Sequence, residues 1–75
     1  MSEFRVGQRL EAVDRHNPAL VRVAGVVGVA GRQVKVHYDG WPDDFDIWSD
    51  DSSPLLQPVG WAARTGHPLQ VTQQL

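Results

Sequence analysis

The segment Leu20-Val21-Arg22-Val23-Ala24-Gly25-Val26-Val27-Gly28-Val29-Ala30-Gly31-Arg32-Gln33-Val34-Lys35-Val36-His37-Tyr38 reads as two β-strands and the tight turn between them. Leu20 to Val29 is a long β-branched run. Gln33 to Tyr38 alternates, with Val34, Val36 and Tyr38 on one face and Lys35 and His37 on the other. Ala30-Gly31-Arg32 joins them, and Gly31 can supply the positive φ that a tight hairpin needs. Gly25 and Gly28 within the first run mark bends or bulges, the device by which a small sheet curls until it closes. Gln8 to Val13, after Gly7, supplies a strand ahead of this pair, and Phe45 to Ser49 a fourth strand after it. Pro54, Pro58, Gly60, Gly66 and Pro68 interrupt the remainder. One helical turn fits around Ser53 to Leu56, and Gln70 to Leu75 is expected to fray.

Seventy-five residues, 41% of them hydrophobic and 21% charged, make one small globular domain. A chain of this size buries about 60% of its unfolded surface and is close to the lower limit for folding without staples. The expectation is a single unit over residues 1–75 with an ordered core over about 4–70. The absence of cysteine excludes disulfides and zinc–thiolate sites, and a reducing interior is the default compartment. No apolar run approaches the roughly 20 residues of a membrane span, and Met1-Ser2-Glu3-Phe4-Arg5 lacks the apolar stretch of a signal peptide. The reading is therefore of a soluble intracellular protein, or a piece of one, with no membrane partner.

Past Tyr38 the chain continues Asp39-Gly40-Trp41-Pro42-Asp43-Asp44-Phe45-Asp46-Ile47-Trp48, so that Tyr38, Trp41 and Phe45 stand among carboxylates. Net charge is only −2, yet no Lys or Arg occurs between Lys35 and Arg64. Aromatic faces attract a desolvated organic cation by about 0.5–2 kcal/mol per ring, and methylated lysine is the biological cation such cages most often hold. Aromatics in a small chain also fill cores, so the cluster alone leaves both readings open. Acidity around Asp39 to Asp46 repels phosphate backbones and attracts basic peptides, which disfavours nucleic acid as a partner. Asp50 and Asp51, ahead of Ser52-Ser53-Pro54, read as turn and cap residues. Proline at position 42 biases Trp41 toward extended backbone and helps to hold its indole.

Catalytic readings find little support. His16, His37 and His67 are dispersed, without cysteines or a paired spacing, and make a poor metal site; no metal and no cofactor are expected. A Ser-His-Asp arrangement cannot be argued from these residues, and Asp39 to Asp51 lacks the glycine and terminal glutamate of an EF-hand loop. An enzyme is not expected.

Phe4-Arg5-Val6-Gly7-Gln8-Arg9-Leu10-Glu11-Ala12-Val13-Asp14-Arg15-His16-Asn17-Pro18, Val36-His37-Tyr38-Asp39-Gly40-Trp41, Phe45-Asp46-Ile47-Trp48, Ser52-Ser53-Pro54 and Pro58-Val59-Gly60-Trp61 closely resemble an MBT (malignant brain tumour) repeat in order and spacing. The resemblance spans nearly the whole chain. It implies a mainly β fold, a small five-stranded, SH3/Tudor-like barrel with short helical turns. It further implies a nuclear, chromatin-associated protein, larger than this single repeat, that reads mono- and dimethylated lysine on histone tails or on non-histone proteins. Carried over by position, the family's cage falls on Tyr38, Trp41 and Phe45, with the acidic partner at Asp14 and a supporting polar residue at Asn17. Asp14 and Asn17 can also cap the turn into Pro18, but with the resemblance ligand contact by Asp14 is favoured over capping alone, and the resemblance puts Trp48, next to Ile47, and Trp61 at core or packing positions.

Mono- and dimethylammonium keep an N–H that can donate to Asp14, whereas a trimethylammonium has none, so the lower methylation states are the expected ligands. Three positions depart from the family pattern. Pro42 stands where Asp is usual, Arg22 where a small residue is common, and Gln70 where a smaller polar residue is common. If Arg22 points into the slot, it pairs with Asp14 or stacks on a ring, mimicking the ligand; if it points outward, it is a surface charge. An open slot would favour reading. A filled one would favour the alternative, a structural or protein-interaction MBT module with a blocked or repurposed pocket.

Overall fold

The computed structural model describes residues 4–70. Its elements follow in the order β1 (Arg9–Val13), β2 (Val21–Ala30), β3 (Gln33–Tyr38), a 3-10 turn (Asp43–Phe45), β4 (Ile47–Asp50), β5 (Leu56–Gln57), α1 (Trp61–Thr65) and β6 (Leu69–Gln70). The strands form one curled sheet, a half-barrel, in the order β4-β3-β2-β1-β5, with β6 pairing in parallel to the start of β2. The architecture is mainly β, as expected, and the two-residue β6 adds a sixth strand to the five of the main row. The frayed end expected from Gln70 falls largely on residues 71–75, outside the described residues; Gln70 itself pairs with Arg22.

The β2–β3 hairpin closes through Gly31 and Arg32, with Gly31 at φ 60°. Register shifts between Val26 and Gly28, so the expected bulge lies at Gly28, while Gly25 pairs regularly with Arg9 and His37. Alternation then sorts the side chains. Leu10 and Ala12, Ala24 and Val26, Val34 and Val36 line the concave face with Leu56, and Phe4, Tyr38 and Ile47 pack against them. Each fully buried Val or Leu contributes about 1.5–3 kcal/mol relative to an exposed one. On the opposite face of β1 and β2, Val13 and Val21 meet Ala62 of α1, flanked by Leu55 and Trp61.

Glu11 lies on that second face and is buried. Its two carboxylate oxygens accept the Gly60 N–H at 2.6 Å and the Ala62 N–H at 2.7 Å, which ties β1 to the start of α1. The first amides of a helix have no partner within the helix, and a carboxylate there satisfies donors and complements the helix dipole.

Several local expectations are corrected. Ser53 to Leu56 forms no helix; the Leu56 N–H donates to the Ser53 carbonyl and the Leu55 N–H to the Ser53 hydroxyl, a turn that leads directly into β5. The helix lies at Trp61–Thr65 instead. Phe45 belongs to the 3-10 turn rather than to β4. Trp48 is not a core residue: Ile47 and Ser49 take the inward positions of β4, and Trp48, 49% exposed, lies outward across Gly28. A Cβ at Gly28 would stand 3.4 Å from the Trp48 ring and 3.3 Å from Lys35 Cβ. Trp61 is half-buried, stacked on His67 with centroids 4.8 Å apart.

Replacing Glu11 leaves two amides at the α1 N-terminus without their acceptor. Glu11→Ala should lower unfolding stability by about 2–4 kcal/mol and Glu11→Gln, which retains one acceptor oxygen, by roughly half as much. Urea denaturation of the three proteins checks this, and equal stability of all three would contradict the tie.

Candidate ligand-binding pocket

The concave rows end at the site. Asp14 continues the row of Leu10 and Ala12, Arg22 precedes Ala24 and Val26, and Tyr38 follows Val34 and Val36. Registers Ala12↔Arg22 and Ala24↔Tyr38 bring these three ends together. A pocket of about 190 Å³ opens there, lined by Asp14, Arg15, His16, Arg22, Tyr38, Trp41, Phe45 and Ile47.

The rings are set by the chain that follows β3. The Trp41 N–H donates to the Tyr38 carbonyl, and Gly40, at φ 77°, occupies the turn position that disfavours other side chains. Trp41 lies 6.3 Å from Tyr38, tilted by 59°, and 5.0 Å from Phe45, edge-on at 78°. The Phe45 and Asp46 amides donate to the Pro42 and Asp43 carbonyls and close the 3-10 turn. His37, on the outward face of β3, holds this turn: its Nδ1 stands 2.6 Å from Asp46 Oδ1 and 3.5 Å from Asp43 Oδ1. An ionised carboxylate only accepts, so Nδ1 carries the proton in this bond. His37, Asp43 and Asp46 place three possible ligand atoms within 4.8 Å of one another, a convergence that the dispersed histidine spacing did not suggest. The direct His37–Asp46 hydrogen bond accounts for that closeness.

Asp14 divides its two oxygens. Oδ1 accepts the backbone N–H groups of His16, at 2.7 Å, and Asn17, at 3.2 Å, and so caps the turn. Oδ2 takes the Arg22 Nε–H at 2.9 Å, and the Arg22 guanidinium carbon sits 4.9 Å from the centroid of the Trp41 ring. Burial by itself raises the Asp14 carboxyl pKa; the His16 amide, the Arg22 guanidinium and the Asn17 amide outweigh it and leave the group below the ordinary range. Burial chiefly raises the Tyr38 hydroxyl, with Asp14 adding to the rise and Arg15 and Arg22 opposing it.

Residues 8–75 match the profile of the mbt repeat. The chain belongs to the MBT repeat family. It is 51% identical over 67 residues to mouse lethal(3)malignant brain tumor-like protein 1, covering 89% of this chain and 8% of that protein. Human lethal(3)malignant brain tumor-like protein 4 is 48% identical over 71 residues, 95% of this chain and 11% of that one. Among solved structures, the four MBT repeats of Drosophila melanogaster Sfmbt in complex with the peptide RHR(me)KVLR superpose with a TM-score of 0.83 at 48% identity, over 88% of this chain and 15% of that one. The chain thus spans about a tenth of the length of these curated relatives.

Of the five positions singled out in this MBT repeat, Asp14, Tyr38, Trp41 and Phe45 line one pocket. Asn17 does not line it; its side-chain oxygen accepts the Ala19 N–H at 3.3 Å, within the turn that Asp14 caps. Arg15, His16 and Ile47 line the pocket without having been singled out; the first two adjoin Asp14 in sequence, and Ile47 was legible only as the inward partner of Val36. The acidic run is less free than its composition suggests. Asp39 pairs with Arg9 and Asp46 with His37; Asp43, within reach of the same imidazole, and Asp44 are exposed.

Because the folded Asp14 carboxyl is held below its unfolded value, its contribution to stability is present above the unfolded pKa, about 4, and is lost as pH falls through the folded pKa. The stability gap between wild type and Asp14→Asn should therefore be widest at pH 5 and above and should narrow on acidification. Parallel pH profiles down to pH 2 would contradict this. His37→Ala should free the 3-10 turn, with the Phe45 and Asp46 amides exchanging roughly fivefold faster for the loss of about 1 kcal/mol. Unchanged exchange would show that the turn holds without His37.

Proposed function

We propose that this MBT repeat is a methyl-lysine reader. A mono- or dimethylated lysine enters the pocket, packs its methyl groups on Tyr38, Trp41 and Phe45, and donates its remaining N–H to Asp14 Oδ2. The observation that carries this reading is the facing of one carboxylate and three rings onto a single cavity that already draws a cation, Arg22, to two of them, Asp14 and Trp41. A methylammonium is weakly hydrated, so rings can replace its water at low cost, and its N–H keeps a charge-assisted bond to Asp14. Unmodified lysine is strongly hydrated and loses more on entry. Asn17 acts indirectly, by holding the turn that presents Asp14.

One inserted side chain buries little surface, so the expected dissociation constant is on the order of 10 μM to 1 mM, with little reading of flanking sequence. One relative of known structure, the four MBT repeats of Drosophila melanogaster Sfmbt, is solved with a methylated lysine peptide, which favours a histone tail or another chromatin protein as the partner and the nucleus as the compartment. Exposed Asp43 and Asp44 suit the basic context of such segments. The repeat serves as a binding module within a larger chromatin-associated protein. A second reading, an interaction module whose pocket is engaged by its own arginine, is favoured by the Arg22–Asp14 ion pair.

Titration of the labelled protein with unmodified, mono-, di- and trimethyl-lysine distinguishes these. The reader assignment expects the mono and di forms to shift the resonances of Tyr38, Trp41 and Phe45, and Asp14→Ala to abolish the response. If no form shifts them at millimolar concentration, even after Arg22 is neutralised, the interaction-module reading replaces it.

A further inference from the structure

Arg22 lies where a bound cation would. Its backbone is fixed, because β2 pairs at this residue with Ala12 of β1 on one edge and with Gln70 of β6 on the other, so only the side chain can leave. Among the described residues it holds Asp14 by a single hydrogen bond through Nε, not by the two-pronged fork that makes Arg–carboxylate pairs rigid. Its side chain remains 21% exposed, so a path to solvent exists. When Arg22 leaves, Asp14 keeps its two backbone partners through Oδ1, and the turn that presents it stays closed.

We propose that Arg22 is a displaceable self-ligand of the cage. In the free protein it occupies the cation position on Asp14 Oδ2 and Trp41, and a methylated lysine binds only by driving it out. This rests on the reader assignment above. Displacement has two consequences that a passive pocket wall would not. First, only the fraction of molecules with Arg22 released can bind, so apparent affinity is reduced by that fraction. The reduction is a property of the free protein and is the same for every methylation state. Second, binding exchanges one ion pair for another, Arg22–Asp14 for methylammonium–Asp14. Affinity of the wild type is then nearly insensitive to salt, whereas a protein lacking the arginine forms a new pair on binding and loses affinity as salt screens it. Arg15, a second cation at the rim, is retained in both proteins and leaves the comparison unchanged.

The test compares wild type with Arg22→Gln, which keeps length and polarity but removes the charge, after thermal unfolding has shown that both are folded. Calorimetric or NMR titration with mono-, di- and trimethyl-lysine at two salt concentrations is expected to give Arg22→Gln about tenfold higher affinity, by the same factor for each form that binds, and a salt dependence absent from wild type. Equal or weaker binding by Arg22→Gln, or a gain confined to one methylation state, overturns the proposal. If neither protein binds any form, the reader assignment fails, and the self-ligand is judged on the free protein. An Arg22 Nε–H signal protected from exchange in wild type and lost in Asp14→Asn supports its occupancy of the cation position, while displacement by methyl-lysine falls with the reader assignment; an unprotected signal in wild type overturns both.

Discussion

Two cross-strand pairs, Ala12 opposite Arg22 and Ala24 opposite Tyr38, govern everything else in this molecule. Side chains on a strand alternate with period two, so once these pairs are set, every second residue of β1, of β3 and of β2 as far as the bulge after Val26 faces the concavity. The rows that begin with Leu10, Val26 and Val34 are apolar and form the core; the same rows end in Asp14, Arg22 and Tyr38. The pocket is therefore the open end of the hydrophobic interior. A slip of one residue in either pairing would turn one strand's concave row outward, its core residues together with its member of the trio, so burial of the apolar rows specifies the site geometry.

At that open end an ionic group becomes tolerable only because it is shared. Asp14 loses some hydration, and its two oxygens are satisfied by different means, one by backbone amides of the turn and one by a guanidinium that also leans on an indole. The capping and ligand-binding readings of this residue do not compete, because each uses a different oxygen. A partly buried carboxylate without a cation would be costly, and Arg22 offsets that cost in the free protein. On the opposite face Glu11 solves a similar problem, its charge absorbed by the amides that open α1.

The central hairpin was legible from the segment Leu20 to Tyr38, because β-branched runs and a glycine at the turn state one conformation unambiguously; β3 begins and ends where its alternation does. Weaker segments were misread where local signals conflict with long-range contacts. Ser53-Pro54 suggests a helix start, yet pairing of Leu56 with Ala12 draws the chain into β5 instead. The short helix at Trp61–Thr65 has no side-chain cap of its own and depends on Glu11, about fifty positions earlier, a partner that no local pattern reveals. Trp48 was placed in the core through the family resemblance, but the parity of β4 assigns the inward positions to Ile47 and Ser49, and Gly28 on β2, beyond β3, gives the indole a surface to lie on. Asp39 and Asp46 were read as partner-seeking charges, since the arginine and histidine that engage them lie on other strands.

What the residues carried was the inventory of the candidate site: a cluster of three aromatics in a mainly β domain and, through the resemblance to the MBT repeat, Asp14 as its acidic partner. Residue types, turn glycines and strand periodicity are local properties, and they are written in the chain. What only the tertiary structure decided was the direction of Arg22. Either face of β2 could have received it from periodicity alone, because its valines and alanine supply apolar residues to both faces. Pairing with Ala12 and burial of Ala24 two residues on place it on the concave side, within reach of Asp14 and Trp41. A charge's partner is fixed by distance in space, and for residues 14, 22 and 41 that distance exists only after the sheet has curled.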